Sequence, residues 1–301
     1  MIDLVIIGGG TAGLSAAVYA SRENLNFVLA EKMTFGGQII ASDRVDNYLG
    51  LYGKSGFELC TSFYEHANAL GTKFINSDII QISYSDKKFT IKFSDNTVLN
   101  AKSVVIATGA SPKRLGIDGE AELIGKGVSY CATCDGAFYK NKTVAVIGGG
   151  DTAVHEALYL SKIAKTVYLI HRRDEFRAAK SLTEKIKNCE NLHAILKAST
   201  VKICGENKVE KLIYLQDNTE NEIAVDGIFI AVGYTPNSKL VSNLCELDKY
   251  GYIIADESCK TSFEGLFAAG DVRTKQMRQL ITAASDGANC ISSVVSYLNN
   301  E

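Results

Sequence analysis

The run Cys131-Ala132-Thr133-Cys134-Asp135-Gly136 places two thiols and a carboxylate within six residues. Two residues between cysteines let a disulfide open and close within one turn of backbone, and this spacing commonly lowers one thiol's pKa so that thiolate is available near neutral pH. Asp135 follows the second cysteine directly, where a carboxyl group can give a proton to a departing thiolate or take it back. Half of a zinc site and a chance pair of core cysteines are the competing readings. A structural zinc site takes four ligands, and neither a second CxxC nor a spaced histidine pair is present, so no metal is expected. Cys60, Cys189, Cys204, Cys245, Cys259 and Cys290 are scattered and read as buried, inert thiols. His66, His155 and His193 stand alone and receive no role.

Such a pair needs a source of electrons, and the flanking sequence supplies two candidate nucleotide sites. Leu4-Val5-Ile6-Ile7 is a short apolar strand, followed at once by Gly8-Gly9-Gly10-Thr11-Ala12-Gly13 and a helix rich in small residues from Leu14 to Ala20. This is GxGxxG in the strand, turn and helix context that it requires. Gly8 makes the tight turn, Gly10 admits a pyrophosphate to the backbone, Gly13 lets helix pack on strand, and the helix N-terminus faces the phosphates. The next strand, Phe27 to Ala30, ends in Glu31, whose carboxylate suits ribose hydroxyls and repels a 2′-phosphate. This first site suits FAD or NAD.

The same plan returns in Val144 to Ile147, Gly148-Gly149-Gly150-Asp151-Thr152-Ala153, a helix through Leu160, and a strand Val167 to Ile170. The counterpart of Glu31 is His171, followed by Arg172, Arg173 and, after one further turn, Arg177. Exchanging an acid for cations turns a site that rejects a 2′-phosphate into one that binds it, so this second site suits NADPH. Three more strands end in small residues: Ala107-Thr108-Gly109, Val232-Gly233 and Gly270-Asp271, where a ligand can approach the backbone. Short alternating runs from Ser77 to Asn100, with Asp95-Asn96 as a turn, predict a β-meander. A second is predicted from Lys202 to Glu222 around Asp217-Asn218. Pro112 and Pro236 mark two linkers, and a helix from about Gln279 to Leu298 packs back on the first sheet.

The expected fold is therefore α/β, with two Rossmann-like three-layer dinucleotide-binding domains, the second inserted in the first and each carrying a small β-meander. Residues 1–113 and 237–301 form the first domain, and residues 114–236 form the second with the CxxC. At 301 residues and 46% hydrophobic the chain is long enough for two cores. Its formal net charge of −2, spread without long runs, excludes nucleic acid and acidic membrane surfaces as expected partners. No apolar run approaches the ~18 residues that span a bilayer. A chain that opens on a strand leaves no room for a leader, and the expected location is cytoplasmic, where a CxxC is catalytic more often than structural.

These residues resemble one family over essentially the whole chain: the low-molecular-weight, bacterial-type thioredoxin reductases, among the flavoprotein disulfide reductases with two dinucleotide domains. The likeness rests on the CxxC with Asp135-Gly136, the loop Gly148 to Ala153, and His171 to Arg177. Gly36-Gly37-Gln38, Asn47, Phe267 to Asp271 and Arg278-Gln279 add to it. The chain departs from the family pattern at Thr11, Leu49, Asp151 and Ala137. The resemblance implies FAD at the first site, with Glu31 on the adenosine ribose and Gln38 and Asn47 beside the flavin. It also implies Asp271 on the ribityl chain, and Arg278, Gln279 and Leu280 over the ring. Gly37, Lys32 and Ile79 join that set, and Thr152 and Glu156 join Gly148, Gly150, Asp151 and Ala153 around NADPH.

By the same resemblance Cys134 faces the flavin and Cys131 attacks the partner, with Asp135 as acid and base. The implied partner is thioredoxin or a similar small dithiol protein, the assembly a homodimer, and the inserted domain rotates about its linkers during turnover. A related disulfide reductase or thiol oxidase with another acceptor is the alternative. The basic cluster from His171 to Arg177 argues against the oxidase, and the CxxC argues against a ferredoxin–NADP reductase.

Overall fold

The computed structural model describes residues 1–42 and 44–300, and divides the chain into two compact units. Residues 1–111 and 235–301 form unit 1, and residues 112–234 form unit 2. Both are built on a parallel sheet with the glycine loop at the end of its central strand, the arrangement of two Rossmann-like domains.

Unit 1 begins with β1 (Ile2–Ile7), α1 (Thr11–Arg22) and β2 (Phe27–Glu31), followed by α2 (Gly56–Ala69) and β3 (Phe74–Asn76). Then come β4 (Ile79–Ser85), β5 (Lys88–Phe93), β6 (Val98–Ile106) and β7 (Ala110–Pro112). The last four residues of β1 are buried in succession, as expected of a central parallel strand covered on both faces. Its side chains divide between two cores. Leu4 and Ile6 face α1 with Leu14, Ala16 and Ala17, while Val5 and Ile7 meet Phe89, Ile91 and Phe93 of the meander. The long strand β6 serves both layers: residues 98–101 pair antiparallel with β5, and residues 101–106 pair parallel with β1.

The meander turns where left-handed backbone is available. Asn96 has φ 67°, and Asp95 Oδ1 accepts the Thr97 N–H at 2.9 Å. A second turn, at Asp86-Lys87 with φ of 50° and 57°, was not expected from sequence because lysine is not a usual turn residue there.

Unit 2 starts with β8 (Val128–Ser129), the four-residue helix α3 (Ala132–Asp135), β9 (Thr143–Ile147), α4 (Asp151–Leu160) and β10 (Thr166–Ile170). It continues with α5 (Lys180–Lys187), β11 (Leu192–Ile195), β12 (Ala198–Cys204), β13 (Lys211–Gln216), β14 (Thr219–Ala224) and β15 (Gly227–Ile230). The parallel sheet has the order β11-β10-β9-β15-β8, and β12-β13-β14 form the separate meander. Asp217 and Asn218, with φ of 48° and 60°, make its tight hairpin turn as their residue types require.

The chain returns through β16 (Tyr234–Pro236) to β17 (Leu266–Ala268), which extends the first sheet beside β6, and ends in α6 (Leu280–Leu298), packed on α1. The expected linkers are themselves a two-stranded ribbon of β7 and β16. It is flanked by Lys113 N–H to Gly233 O at 2.9 Å and Asn237 N–H to Gly109 O at 3.0 Å. Among the described residues, no helix is long and apolar enough to cross a membrane.

Candidate active site

The redox pair lies in unit 2 between β8 and the end of α3. Cys131 caps α3 from extended backbone, and its carbonyl accepts the N–H groups of Cys134 and Asp135, both at 3.2 Å. That single turn brings the two α-carbons to 5.3 Å, and Cys131 and Cys134 are joined as a disulfide. Both are half-buried. Ser129, which the sequence did not mark, organises the approach: its hydroxyl donates to Asp135 Oδ2 at 2.6 Å and accepts the Cys131 N–H at 3.1 Å. Asp135 is thus held close to the pair by a residue of β8, and Cys131 Sγ also lies 3.4 Å from the Thr133 hydroxyl.

Behind the turn stands Glu156 of α4. Grouped by sequence with the nucleotide, it reaches the redox segment: Oε1 accepts the buried Ala132 N–H at 3.5 Å, and Oε2 is buried without a partner. Burial pushes its carboxyl up to about 7. The unfolded chain binds this proton only below about pH 4.5, so the folded state is favoured in acid and loses that advantage as pH rises through 7. Glu156→Gln should abolish this loss, which amounts to up to about 3 kcal/mol. Urea unfolding at about pH 5 and about pH 8 tests it: equal pH dependence in both proteins refutes the buried-acid assignment.

Both glycine loops leave an open helix N-terminus. The N-caps of α1 and α4 are Gly10 and Gly150, and neither helix has a side-chain cap, whereas α2 carries the complete Ser55–Glu58 capping box. A Cβ at Gly150 would enter empty space, and one at Gly10 would meet nothing closer than 3.9 Å. At Gly13 a Cβ would sit 1.8 Å from Gly8 O, so the close approach of helix and strand is real. These are cradles of the kind that a phosphate fills.

In unit 1, Glu31 is fixed by two backbone donors, Gly9 N–H to Oε2 at 2.8 Å and Met33 N–H to Oε1 at 2.9 Å. Lys32 beside it is exposed, and Ile79 is buried at the start of β4. Asp271 has a buried Oδ1 without a partner, and burial raises its pKa against the pull of Lys275 and Arg278. An orphaned acceptor at the end of β17 fits a hydroxyl-bearing ligand. Asn47 Nδ2 donates to Gln279 Oε1 at 2.9 Å, so two residues distant in sequence meet, and Gln38 Nε2 donates to the Ala110 carbonyl. Arg278 lies 4.0 Å over the Tyr252 ring, and Leu280 begins α6. Thr108 and Asn237 exchange two hydrogen bonds, of 2.7 and 2.9 Å, beside Ala107, while a Cβ at Gly109 would meet nothing within 4 Å. Thr11 and Ala12, in the first turn of α1, are buried. Gly270 and Gly37 both hold left-handed backbone, at φ 77° and 70°.

In unit 2, Arg172, Arg173 and Arg177 are exposed beyond β10, and the Arg177 N–H donates to Gly149 O at 2.7 Å, tying the cluster to the glycine loop. His171 does not join them as a cation. It is buried, with Nε2 unpartnered, and burial followed by Arg177 and Arg173 lowers its pKa. Its ring stacks on Phe176 at 5.6 Å and closes the space behind Gly149, where a Cβ would come within 2.2 Å of Nδ1. Asp151 holds the following loop through the Ala179 N–H at 2.8 Å. Thr152 is exposed on the first turn of α4 and Ala153 is buried against the sheet. Val232 and Gly233 lie at the end of β15 beyond Gly148. Of the remaining thiols, Cys189 and Cys204 are half-buried, not buried as expected, because the first lies just past the end of α5 and the second ends a meander strand.

Residues 2–287 match the family described as Pyridine nucleotide-disulphide oxidoreductase. A thioredoxin reductase from Helicobacter pylori is 47% identical over 100% of both chains, and one from Mycoplasma genitalium is 42% identical over 97% of this chain and 94% of its own. Among solved structures, the thioredoxin reductase of Streptococcus pyogenes MGAS5005 superposes with a TM-score of 0.94 at 38% identity, covering 100% of this chain and 99% of that one. By these matches the chain belongs to the pyridine nucleotide-disulphide oxidoreductases, in the thioredoxin reductase family.

Proposed function

We propose that this chain is an NADPH-dependent thioredoxin reductase, with FAD in unit 1, NADPH in unit 2 and the Cys131–Cys134 disulfide as the exit for electrons. The observation that carries the reading is the closed CxxC disulfide in the same unit as an uncapped glycine loop whose Gly149 carbonyl accepts the N–H of Arg177. When bound, a flavin takes hydride from a nicotinamide and delivers two electrons to a disulfide. Glu31, oriented by two backbone donors, would receive ribose hydroxyls, and the orphaned Asp271 Oδ1 would receive one from the ribityl chain. Gln38 and Asn47 would border the ring, with Arg278, Gln279 and Leu280 across it. Arg172, Arg173 and Arg177 would hold the 2′-phosphate, with Thr152 at the helix N-terminus.

Two electrons and one proton convert the disulfide to a thiolate and a thiol. Asp135, steadied by Ser129, would exchange that proton. The Cys131 thiolate would then attack the disulfide of thioredoxin, and Cys134 would close on the mixed disulfide to release the reduced partner. The reading includes a homodimer working in a reducing, cytoplasmic setting.

The purified protein should be yellow, bleach anaerobically with NADPH, and regain its colour with oxidised thioredoxin. Material that holds no flavin, or a flavin that NADPH leaves oxidised, defeats the proposal. In the same assay Arg172→Ala with Arg173→Ala should lower kcat/KM for NADPH by about 10- to 100-fold, the loss of charge-assisted contacts at an exposed site, while NADH is unaffected. Equal effects on the two nucleotides would remove the arginines from 2′-phosphate recognition.

A further inference from the structure

Glu156 is a half-buried acid, one oxygen of which is shut off from solvent, and the proposed chemistry has no use for it. Its Oε1 holds the N–H of Ala132, a residue inside the loop closed by the disulfide, and its Oε2 has no partner. We infer that Glu156 is a positioning residue of the redox pair: it anchors the first turn of the Cys131–Cys134 segment and takes up a proton when the disulfide opens. The inference rests on the proposed function only in taking that disulfide as the redox pair.

The surroundings set few titratable groups beside this acid. Helix α4 packs on α3, α5, β9 and β10. The two strands bring no charged side chain, Tyr168 being their only titratable group. On α5, Lys180, Glu184, Lys185 and Lys187 are exposed, as are Asp151 and His155 on α4 itself, while Tyr159 of α4 is half-buried with its ring against Gly136. Asp135 of α3 is bonded to Ser129. Burial and the Ala132 N–H are accordingly the influences on Glu156, and they place its proton near neutrality while the disulfide is closed.

Opening the bond as thiolate and thiol adds a negative charge to the same turn. Two like charges in a site of low dielectric repel strongly, and protonation of the carboxylate relieves this. The balance is disulfide, carboxylate, two electrons and two protons giving thiolate, thiol and carboxylic acid. In turnover the two electrons and one of the protons are supplied as the hydride of the pyridine nucleotide, and the second proton comes from solvent. Glu156 thereby lets the nucleophilic sulfur stay ionised.

The test equilibrates the holoenzyme with dithiothreitol between about pH 6 and about pH 8 and counts open Cys131–Cys134 pairs by alkylation and mass. Dithiothreitol releases two protons throughout this range. Below about pH 7 the enzyme should take up one, so its equilibrium constant rises about tenfold per pH unit; above that it should take up two and the curve flattens. In Glu156→Gln, which keeps the acceptor for Ala132 but carries no proton to exchange, the tenfold rise should continue to about pH 8. Curves of the same shape in both proteins overturn the inference. Should the Gln protein not fold, Glu156→Met, neutral and of similar length, gives the same reading. A purely structural side chain would change rate or stability without changing this curve. Because the assay uses neither NADPH nor thioredoxin, it can fail while the proposed function stands.

Discussion

Cys134→Ser should lower NADPH-dependent reduction of thioredoxin by roughly 10³-fold or more, the scale seen when a reacting residue is removed. The substitution changes one atom, so the turn held by the Cys131 carbonyl and the Ser129 contacts should survive. What disappears is the sulfur to which Cys131 is bonded across that 5.3 Å gap. Without it a mixed disulfide with thioredoxin has no internal thiol to resolve it. The glycine loop and the arginines are separate from this turn in the chain, so anaerobic bleaching by NADPH should persist. The two assays together discriminate: turnover lost with bleaching retained locates the fault at the dithiol, whereas normal turnover in the Ser protein would exclude the dithiol route. Loss of both would point to a damaged fold.

The second large effect concerns stability. Asp286→Ala should cost roughly 3–5 kcal/mol, because it would take the carboxylate from Lys275 and leave buried Arg273 with the exposed Glu257, at 3.1 Å, as its remaining ion-pair partner. Asp286 is 2% exposed and Arg273 1% exposed. The carboxylate accepts Arg273 Nε at 2.8 Å and Nη2 at 2.7 Å, Lys275 Nζ at 2.9 Å, and the Gly270 N–H at 2.8 Å. Burial pushes its pKa up, but the bonds from Arg273 and Lys275 outweigh burial and hold the carboxyl below its usual range. Through Gly270 the same network sets the turn that presents Asp271. The variant should therefore also lose flavin more readily, and urea unfolding with flavin retention in the same samples checks both. A change below about 1 kcal/mol would mean that water or backbone shifts replace the missing carboxylate.

The parts of this protein that sequence discloses are those whose chemistry is local. The CxxC, both glycine loops and Glu31 depend on neighbours a few residues away or on a strand whose length is fixed, so spacing alone nearly positions them. The turn at Asp217-Asn218 was legible for the same reason, since these residue types tolerate left-handed backbone. Contacts between distant elements were not. Ser129 reaches Asp135 only after β8 has set its direction, Glu156 meets Ala132 from another helix, and Asn47 finds Gln279 across most of the chain. His171 shows the opposite error. Its place among arginines suggested a charge, but Gly149 has no side chain, and the imidazole fills the vacancy behind it away from water.

The paired strands β7 and β16 carry the chain out of unit 1 and back through adjacent positions. The stretch between them therefore begins and ends side by side. A tight reverse turn joining Ser111 to Thr235 would bypass it while leaving β6 and β17 in register. In such an arrangement a redox module can be exchanged by recombination without disturbing the surrounding sheet, and the length of the graft is free so long as its two ends meet.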